Sequence, residues 1–520
     1  MPLKVHLMYR DRDFLLLQES QSQYLSRQTV PHFLPNQELL TQDLELNTLF
    51  QTMAGGDDFL LIVARQAILT GLQNDRETMI YRQAVLQDCL RNQSVVKHLY
   101  DIAVEVIESR RRQWWCTTNL SPGSLLYSSV NLLSLFAKAL GTLRRIADEQ
   151  AAAFVSEGFT ALLSVLRTEL NDGYLSAIKT RLKELEFNHG VLMSAALGAG
   201  NQSTAFVLHA PPNRTPWLAR LFGIGTTAYS FRLDPRDEAG ARMLGELRDR
   251  GLNLVANAAA QSADHILSFF RQLRSELAFY LACVNLHRQL AAKGVPVCFP
   301  VPLAPGACRH TAAELRDVCL ALTTDQPVVG NDLAADGKKL IVITGANKGG
   351  KSTFLRAVGL AQLMMQAGMF VAAESFTADI CRSLFTHYKR EEDAAMNSGK
   401  FDEELKRMSE IVDALTSDAL LLFNESFAAT NEREGSEIAR QIVRALMETH
   451  VKIFFVTHQY GFAHSLNNDT AGSVLFLRAE RSPDGTRTYK LLAGEPFETG
   501  FAADLYERIF SHDKEHPAVP

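Results

Sequence analysis

From residue 58 to about 300 the apolar positions recur at spacings of three and four, the period of amphipathic helices. In the stretch DDFLLIVARQAILTGLQNDRETMIYRQAVLQDCLRNQSVVKHLYDIAVEVIESRRRQWW, Leu61, Ala64, Ala67 and Ile68 fall on one stripe, and Tyr81, Val85 and Cys89 on another. Gly71 is its one helix breaker. Further long patterns run from about 124 to 186 and from 238 to 293, so this region is expected to form the helices of a bundle or lever. Residues 187–235 break the pattern. They are rich in Gly, Pro, Ser and Thr and hold β-like pieces at 205–208 and 228–233, which predicts a small insertion at one end of the helical body.

The period changes after the Pro-rich KGVPVCFPVPLAPGAC (293–308), which marks a boundary. Short apolar runs at 340–343, 420–423 and 453–456 alternate with helix-like stretches. That alternation predicts an α/β domain with a largely parallel sheet. In SVLFLRAERSPDGTRTYKLLAGE (473–495), two strand-like runs flank a Pro-Asp-Gly turn, so a C-terminal β-hairpin is expected. The expected fold is therefore multidomain. Residues 1–50 are a segment of unclear role, 51–305 a mainly α-helical core and lever region with a clamp-like insertion at about 187–235, and 306–520 the α/β domain.

Composition narrows this picture little. The chain has 520 residues, 47% hydrophobic and 21% charged, which suits a soluble globular protein of several domains. No run approaches the ~18 apolar residues of a membrane span, and the N-terminus lacks the pattern of a secretory signal. The seven cysteines form no CxxC pair and read as free thiols of a reducing compartment, so a cytoplasmic location is expected. The net charge of −5 excludes a protein held to nucleic acid by overall charge; any such contact must come from local patches.

The chemistry concentrates in three places. LIVITGANKGGKST (340–353) contains G-x-x-x-x-G-K-S between an apolar strand and a helix-like run. Glycines there let backbone N–H groups face a phosphate chain at a helix N-terminus, where Lys351 can reach the phosphates and Ser352 can ligate Mg²⁺. In DALLLFNESFAATNEREG (418–435) a short apolar strand ends in Asn424-Glu425, where such sites usually carry Asp-Glu. Glu425 can polarise an attacking water, and the residue before it serves the magnesium shell. The competing reading is a capping Glu on a loop. In KIFFVTHQY, His458 follows a third buried strand, where it can sense a γ-phosphate or be only a satisfied loop residue.

Together these segments resemble the MutS family of DNA mismatch-repair ATPases. TGANKGGKSTFLRAVGLAQLMMQAGMFVAAES is similar to that family's TGPNMGGKST, helix and FVPAE segment. REEDAAMNSGKFDEEL, LLLFNESFAATNEREGSEIA and FFVTHQY resemble its Ser-rich and Phe-x-x-Glu stretch, its DE-x-GRGTST stretch and its ATH-Y. RHTAAE and GNDL resemble its RHP-x-x-E and PNDL. The resemblance covers roughly residues 306–510, and more weakly the helical segments upstream. It implies a P-loop, ABC-type ATPase domain that uses ATP and Mg²⁺. It also implies a homodimer with each ATP sandwiched between subunits, and helical levers leading to DNA. Carried over by position, Gly345, Asn347, Lys348, Gly349, Gly350, Lys351, Ser352 and Thr353 form the phosphate and magnesium site, with Asn424 acting on the metal through water. Glu425 is then the catalytic base, Lys351 and His458 act beside it, and Ser398, Thr430 and Asn431 face the partner's nucleotide.

The departures shape the expected function. No Phe-x-Glu wedge precedes the core-like segment, so wedge-type mismatch reading is not expected. The nuclease-type domain of the second bacterial group is expected to be absent, because the sequence stops soon after TGFAADLYERIF. Asn424 replaces Asp, SFAATNE replaces the Gly-Arg-Gly loop, and Lys348 replaces Met. Losing the Asp charge should weaken metal binding and slow hydrolysis while ATP binding persists. For DNA, ESRRRQWW (108–115) and the arginines between 214 and 250 are candidate contacts, the latter offset by interleaved acids. The leading expectation is a dimeric, ATP-dependent DNA-binding protein whose nucleotide state moves paired levers. The alternative is a nucleotide-gated protein-interaction switch with little hydrolysis or DNA affinity; an unrelated ABC-type ATPase is a third, disfavoured by the helical region.

Overall fold

The computed structural model describes residues 4–16, 36–114, 121–188, 190–209, 232–306, 308–346, 348–390, 399–467, 472–481 and 487–496. In chain order the first helices are α1 (Gln37–Asp43), α2 (Leu46–Ala54), α3 (Asp58–Leu69), α4 (Arg76–Arg91), α5 (Gln93–Trp114), α6 (Pro122–Gln150), α7 (Glu157–Glu169) and α8 (Asp172–Leu185). Strands β1 (Leu192–Leu197) and β2 (Ser203–His209) precede the 55-residue helix α9 (Glu238–Ala292). Then follow β3 (Val301–Leu303), β4 (His310–Leu315), α10 (Val318–Thr323), β5 (Asn331–Ala334), β6 (Leu340–Thr344), α11 (Lys351–Gln366), β7 (Ser375–Asp379) and β8 (Ser383–Tyr388). The last described elements are α12 (Lys400–Ala414), β9 (Ala419–Asn424), α13 (Glu432–Met447), β10 (Val451–Val456), α14 (Tyr460–Asn467), β11 (Val474–Arg481) and β12 (Arg487–Ala493).

Contacts group the chain by packing rather than by motif. One compact unit holds Ser94–Leu277 with the residues up to His6; the other joins Leu7–Gln93 to the chain from Ala278 onward.

In the first unit the long pattern of 124–186 is three helices rather than one. A 3₁₀ turn at Ala151–Ala153 ends α6, and Ser156 and Asn171 then cap α7 and α8 through side-chain oxygens that accept N–H groups. Capping side chains satisfy orphan donors and so favour a new start over continuation. The insertion begins as an antiparallel pair, Leu192 opposite His209, and contains the 205–208 piece. Of the 228–233 piece, residues 228–231 lie outside the described residues, and Arg232 and Leu233 are irregular. The pair buries little: Leu192, Leu197 and Val207 are all exposed.

The second unit is built on a six-stranded sheet of order β12-β11-β6-β10-β9-β8. Strands β11, β6, β10, β9 and β8 run parallel, and β12 pairs antiparallel with β11. Parallel strands covered on both faces read as unbroken apolar runs, as LIVIT and VKIFFV do: β6 and β10 are buried throughout. A four-stranded sheet of order β3-β7-β4-β5 lies beside it in the same unit. One face of the large sheet packs on a core in which Phe423, Phe427, Phe455 and Phe462 meet residues of α12 and α13.

Helix α11 is buried nearly all round, so it needs a cover on the side away from the sheet. Helices α3 and α4 help supply it, which is why residues before 93 belong to this unit. The C-terminal end of α11 is satisfied from the same segment: Asn74, between α3 and α4, donates to the Gln366 carbonyl at 2.9 Å, and Arg82 of α4 to the Ala367 carbonyl at 3.3 Å. Arg82 is fully buried, also donates to the Met8 carbonyl, and stacks over Tyr9 and Phe279 at 4.5 and 5.9 Å. Arg82→Ala would strand two buried carbonyls and open a cavity. It is expected to cost about 3 kcal/mol, read as a lower urea midpoint.

Candidate functional site

Three loops leave the large sheet at one level because the strand ladders are in line. Val456 pairs with Ile343 on one side and Asn424 on the other, and Tyr388 pairs with Asn424. Backbone bonds carry the ladder one step further, Thr457 to Ile343, Glu425 to Val456 and Lys389 to Asn424. The residues after β6, β9 and β10 therefore converge, at the carboxyl ends of parallel strands where ligands of such sheets bind.

After β6 the chain turns into α11 through residues 345–350. Gly345 has φ +117° and Gly350, the N-cap, +88°, and a Cβ at Gly345 would lie 2.9 Å from Ala479. Both positions need glycine. Lys351 is buried, and its ammonium donates to the Gly345 and Ala346 carbonyls at 2.8 and 3.0 Å. Burial pushes this ammonium's pKa down, Glu425 pushes it back up, and Arg487 adds a second positive charge nearby. Lys348 is exposed at φ +60°, Gly349 is buried and Thr353 half-buried.

The Ser352 hydroxyl donates to Asn424 Oδ1 at 2.9 Å, so the two residues assigned to the metal are in contact. A hydroxyl beside an amide oxygen is a donor set that fits a hard cation keeping most of its water. Glu425 is half-buried at φ +53°, and His458 Nδ1 lies 3.9 Å from its carboxylate, an electrostatic contact rather than a hydrogen bond. His458 holds the Glu425 carboxyl below its ordinary 4.5, against the opposing effect of burial, and Lys351 acts in the same direction.

A cavity of about 440 Å³ adjoins these groups. The glycine-rich turn and Glu425 form its polar side, and Leu315, Leu320, Val328 and Tyr489 form a largely apolar wall. Polar groups at one end and apolar surface at the other suit a nucleotide's phosphates and base. Sequence reasoning missed this wall. It also missed Asn331, whose amide donates to the Tyr489 carbonyl at 3.2 Å and accepts from the Leu491 N–H at 2.7 Å, fixing β12 beside the cavity. The GNDL segment was the available signal for it.

Asn347 and Ser398 lie outside the described residues. Thr430 donates to the Glu434 carboxylate at 3.0 Å, and Asn431 caps α13 by accepting the Glu434 N–H. Of the basic turn, Arg110 lies 3.4 Å from Asp264 and Arg111 3.1 Å from Glu108, while Arg112 is exposed. Trp114 ends α5 and Trp115 lies outside the described residues.

Two family profiles match the chain. The profile of the MutS2 N-terminal domain matches residues 74–293, and that of MutS domain V matches residues 341–495. The chain is 33% identical over 189 residues to the DNA mismatch repair protein MutS of Porphyromonas gingivalis, 33% of this chain and 21% of that protein. It is 33% identical over 172 residues to the endonuclease MutS2 of Thermus thermophilus, 32% of this chain and 23% of that protein. With the human MutS protein homolog 4 it shares 30% identity over 143 residues, 28% of this chain and 15% of that protein. The matched stretches thus span less than a quarter of these relatives' own lengths.

Proposed function

The chain belongs to the MutS family, and on that premise we propose that it is a dimeric, ATP-dependent DNA-binding protein that hydrolyses ATP slowly. The observation that carries this reading is the convergence of Lys351, the Ser352–Asn424 pair, Glu425 and His458 at one end of the sheet, beside a cavity of about 440 Å³. In it, Lys351 exchanges its two carbonyl partners for phosphate oxygens and offsets their charge. Ser352 and Asn424 would hold magnesium, Asn424 through water, and the ion would supply positive charge to offset that of the phosphates. Glu425, kept ionised by His458 and Lys351, orients a water toward the γ-phosphoryl group and takes its proton. The apolar wall and Tyr489 receive the base.

Asn424 keeps an oxygen toward the metal but contributes no charge, which is the reason for slow turnover. Asn424→Asp is expected to raise turnover and tighten magnesium dependence, each by roughly tenfold, measured as steady-state phosphate release against magnesium concentration. Unchanged values in both would remove Asn424 as the cause.

The partner side of the proposal is a second copy of this chain facing the nucleotide with Ser398, Thr430 and Asn431. The DNA side is the helical unit, with the 187–235 insertion as clamp tip and α9 as lever. Exposed Arg232, Arg236, Arg242, Arg248 and Arg250 supply local positive charge there. Gel shift on duplex, mismatched and branched DNA, with and without ATP, tests it. A nucleotide-dependent shift is expected, and no binding to any of the three at moderate salt would overturn the DNA reading.

A further inference from the structure

Glu425 and Phe427 both have positive φ, +53° and +61°, a conformation that costs non-glycine residues energy and persists only when neighbours impose it. Phe427 stands where the resembled family has glycine, and the structure shows what holds it. Its ring is fully buried and stacks on the His387 ring, centroids 5.2 Å apart at 20°. Its carbonyl accepts from Gln459 Nε2 at 3.1 Å, tying it to the residue after His458. Helix α13 approaches so closely that a Cβ on Gly435 would come within 2.3 Å of that carbonyl.

His387 is the hub. It sits on β8, buried, opposite Phe423 in register. Its Nε2 lies 3.0 Å from the Glu404 carbonyl of α12, and its Nδ1 2.7 Å from the Ser426 hydroxyl. Burial pushes its pKa down to about 4, so the ring is neutral at pH 7. A carbonyl partner then puts the ring proton on Nε2. The Ser426 hydroxyl proton is shared between Nδ1 and the His387 carbonyl 2.5 Å away. Glu404 thus meets the ring through its backbone carbonyl, and its own carboxyl is buried, which pushes its pKa up.

We propose that His387, Ser426 and the Glu404 carbonyl form a latch that positions Glu425 by holding the turn in which Glu425 and Phe427 have positive φ, and couples that turn to helix α12. None of the three touches the reacting atoms; they are positioning residues, and the catalytic part of this inference rests on the reading of Glu425 as the base. The path from α12 to the turn runs from the Glu404 carbonyl through the His387 imidazole to the Ser426 hydroxyl, next to Glu425.

The test uses the full chain with His387→Phe, which keeps a ring but removes both nitrogens, Ser426→Ala, and the double variant. Hydrogen–deuterium exchange without nucleotide is expected to rise about tenfold in His387→Phe in peptides covering both 425–431 and 400–407. With ATP, kcat is expected to fall about tenfold while the ATP Kd stays within about twofold, and the double variant should fall no further than His387→Phe. Exchange rising in only one segment, additive losses, or a parallel loss of ATP affinity would overturn the latch. Ser426→Ala, a small change, decides the matter if His387→Phe does not fold. If the wild-type chain binds ATP without turning it over, the hydrolysis reading fails, and the exchange measurement still decides the latch.

Discussion

Glu425→Gln is expected to lower ATP turnover by about 100-fold or more while leaving ATP affinity within a few-fold. The amide has the carboxylate's shape but cannot take a proton from water. The wild-type carboxylate can: it is half-buried at the end of β9, 3.9 Å from His458, and held below 4.5 by His458 and then by Lys351. A depressed pKa means the ionised form is present at all pH values above it. The acidic limb of the turnover profile should therefore lie below 4.5, and activity should not fall between pH 7 and 5 on account of Glu425. His458→Asn removes the first of the groups holding that pKa down and should move the limb upward. Single-turnover phosphate release against pH measures both effects. A Gln variant that keeps wild-type turnover would remove Glu425 from the chemistry.

The second large effect is at Lys351. Lys351→Met keeps the apolar stem and removes the ammonium, and it should weaken ATP binding by about 100-fold, the worth of a charged hydrogen-bonding group. The ammonium is buried and donates to two carbonyls of its own loop. A phosphate oxygen is a stronger partner, and Arg487 adds to the same field. Equilibrium titration with a fluorescent ATP analogue checks this, and ADP should lose less than ATP because fewer phosphate oxygens are at stake. Equal affinity in Lys351→Met and wild type would mean that the glycine-rich turn is not a phosphate site.

What the sequence made legible was local. The strands at 340–343, 420–423 and 453–456 could be read because buried parallel strands are continuous apolar runs, and the residues just past them line the candidate site. Helix breaks at Ser156 and Asn171 were harder, since capping residues interrupt an apolar period without erasing it. Contacts between distant segments were not legible. Nothing local says that Arg82 satisfies the end of α11, that Asn331 fixes Tyr489, or that His387 would face Phe427. The unusual SFAATNE loop looked like a loss of small and basic residues. In the structure, Phe427 keeps a glycine-like φ because His387, Gln459 and the core hold it there.

The question raised by Asn424 remains the sharpest one: a slowed enzyme or a binding switch. Steady-state ATP turnover of the wild-type chain, with magnesium and with or without duplex and branched DNA, answers it most directly. Slow but sustained, magnesium-dependent turnover that DNA alters is the expected result. Tight ATP binding with no turnover under any of these conditions would contradict it and leave a nucleotide-gated switch.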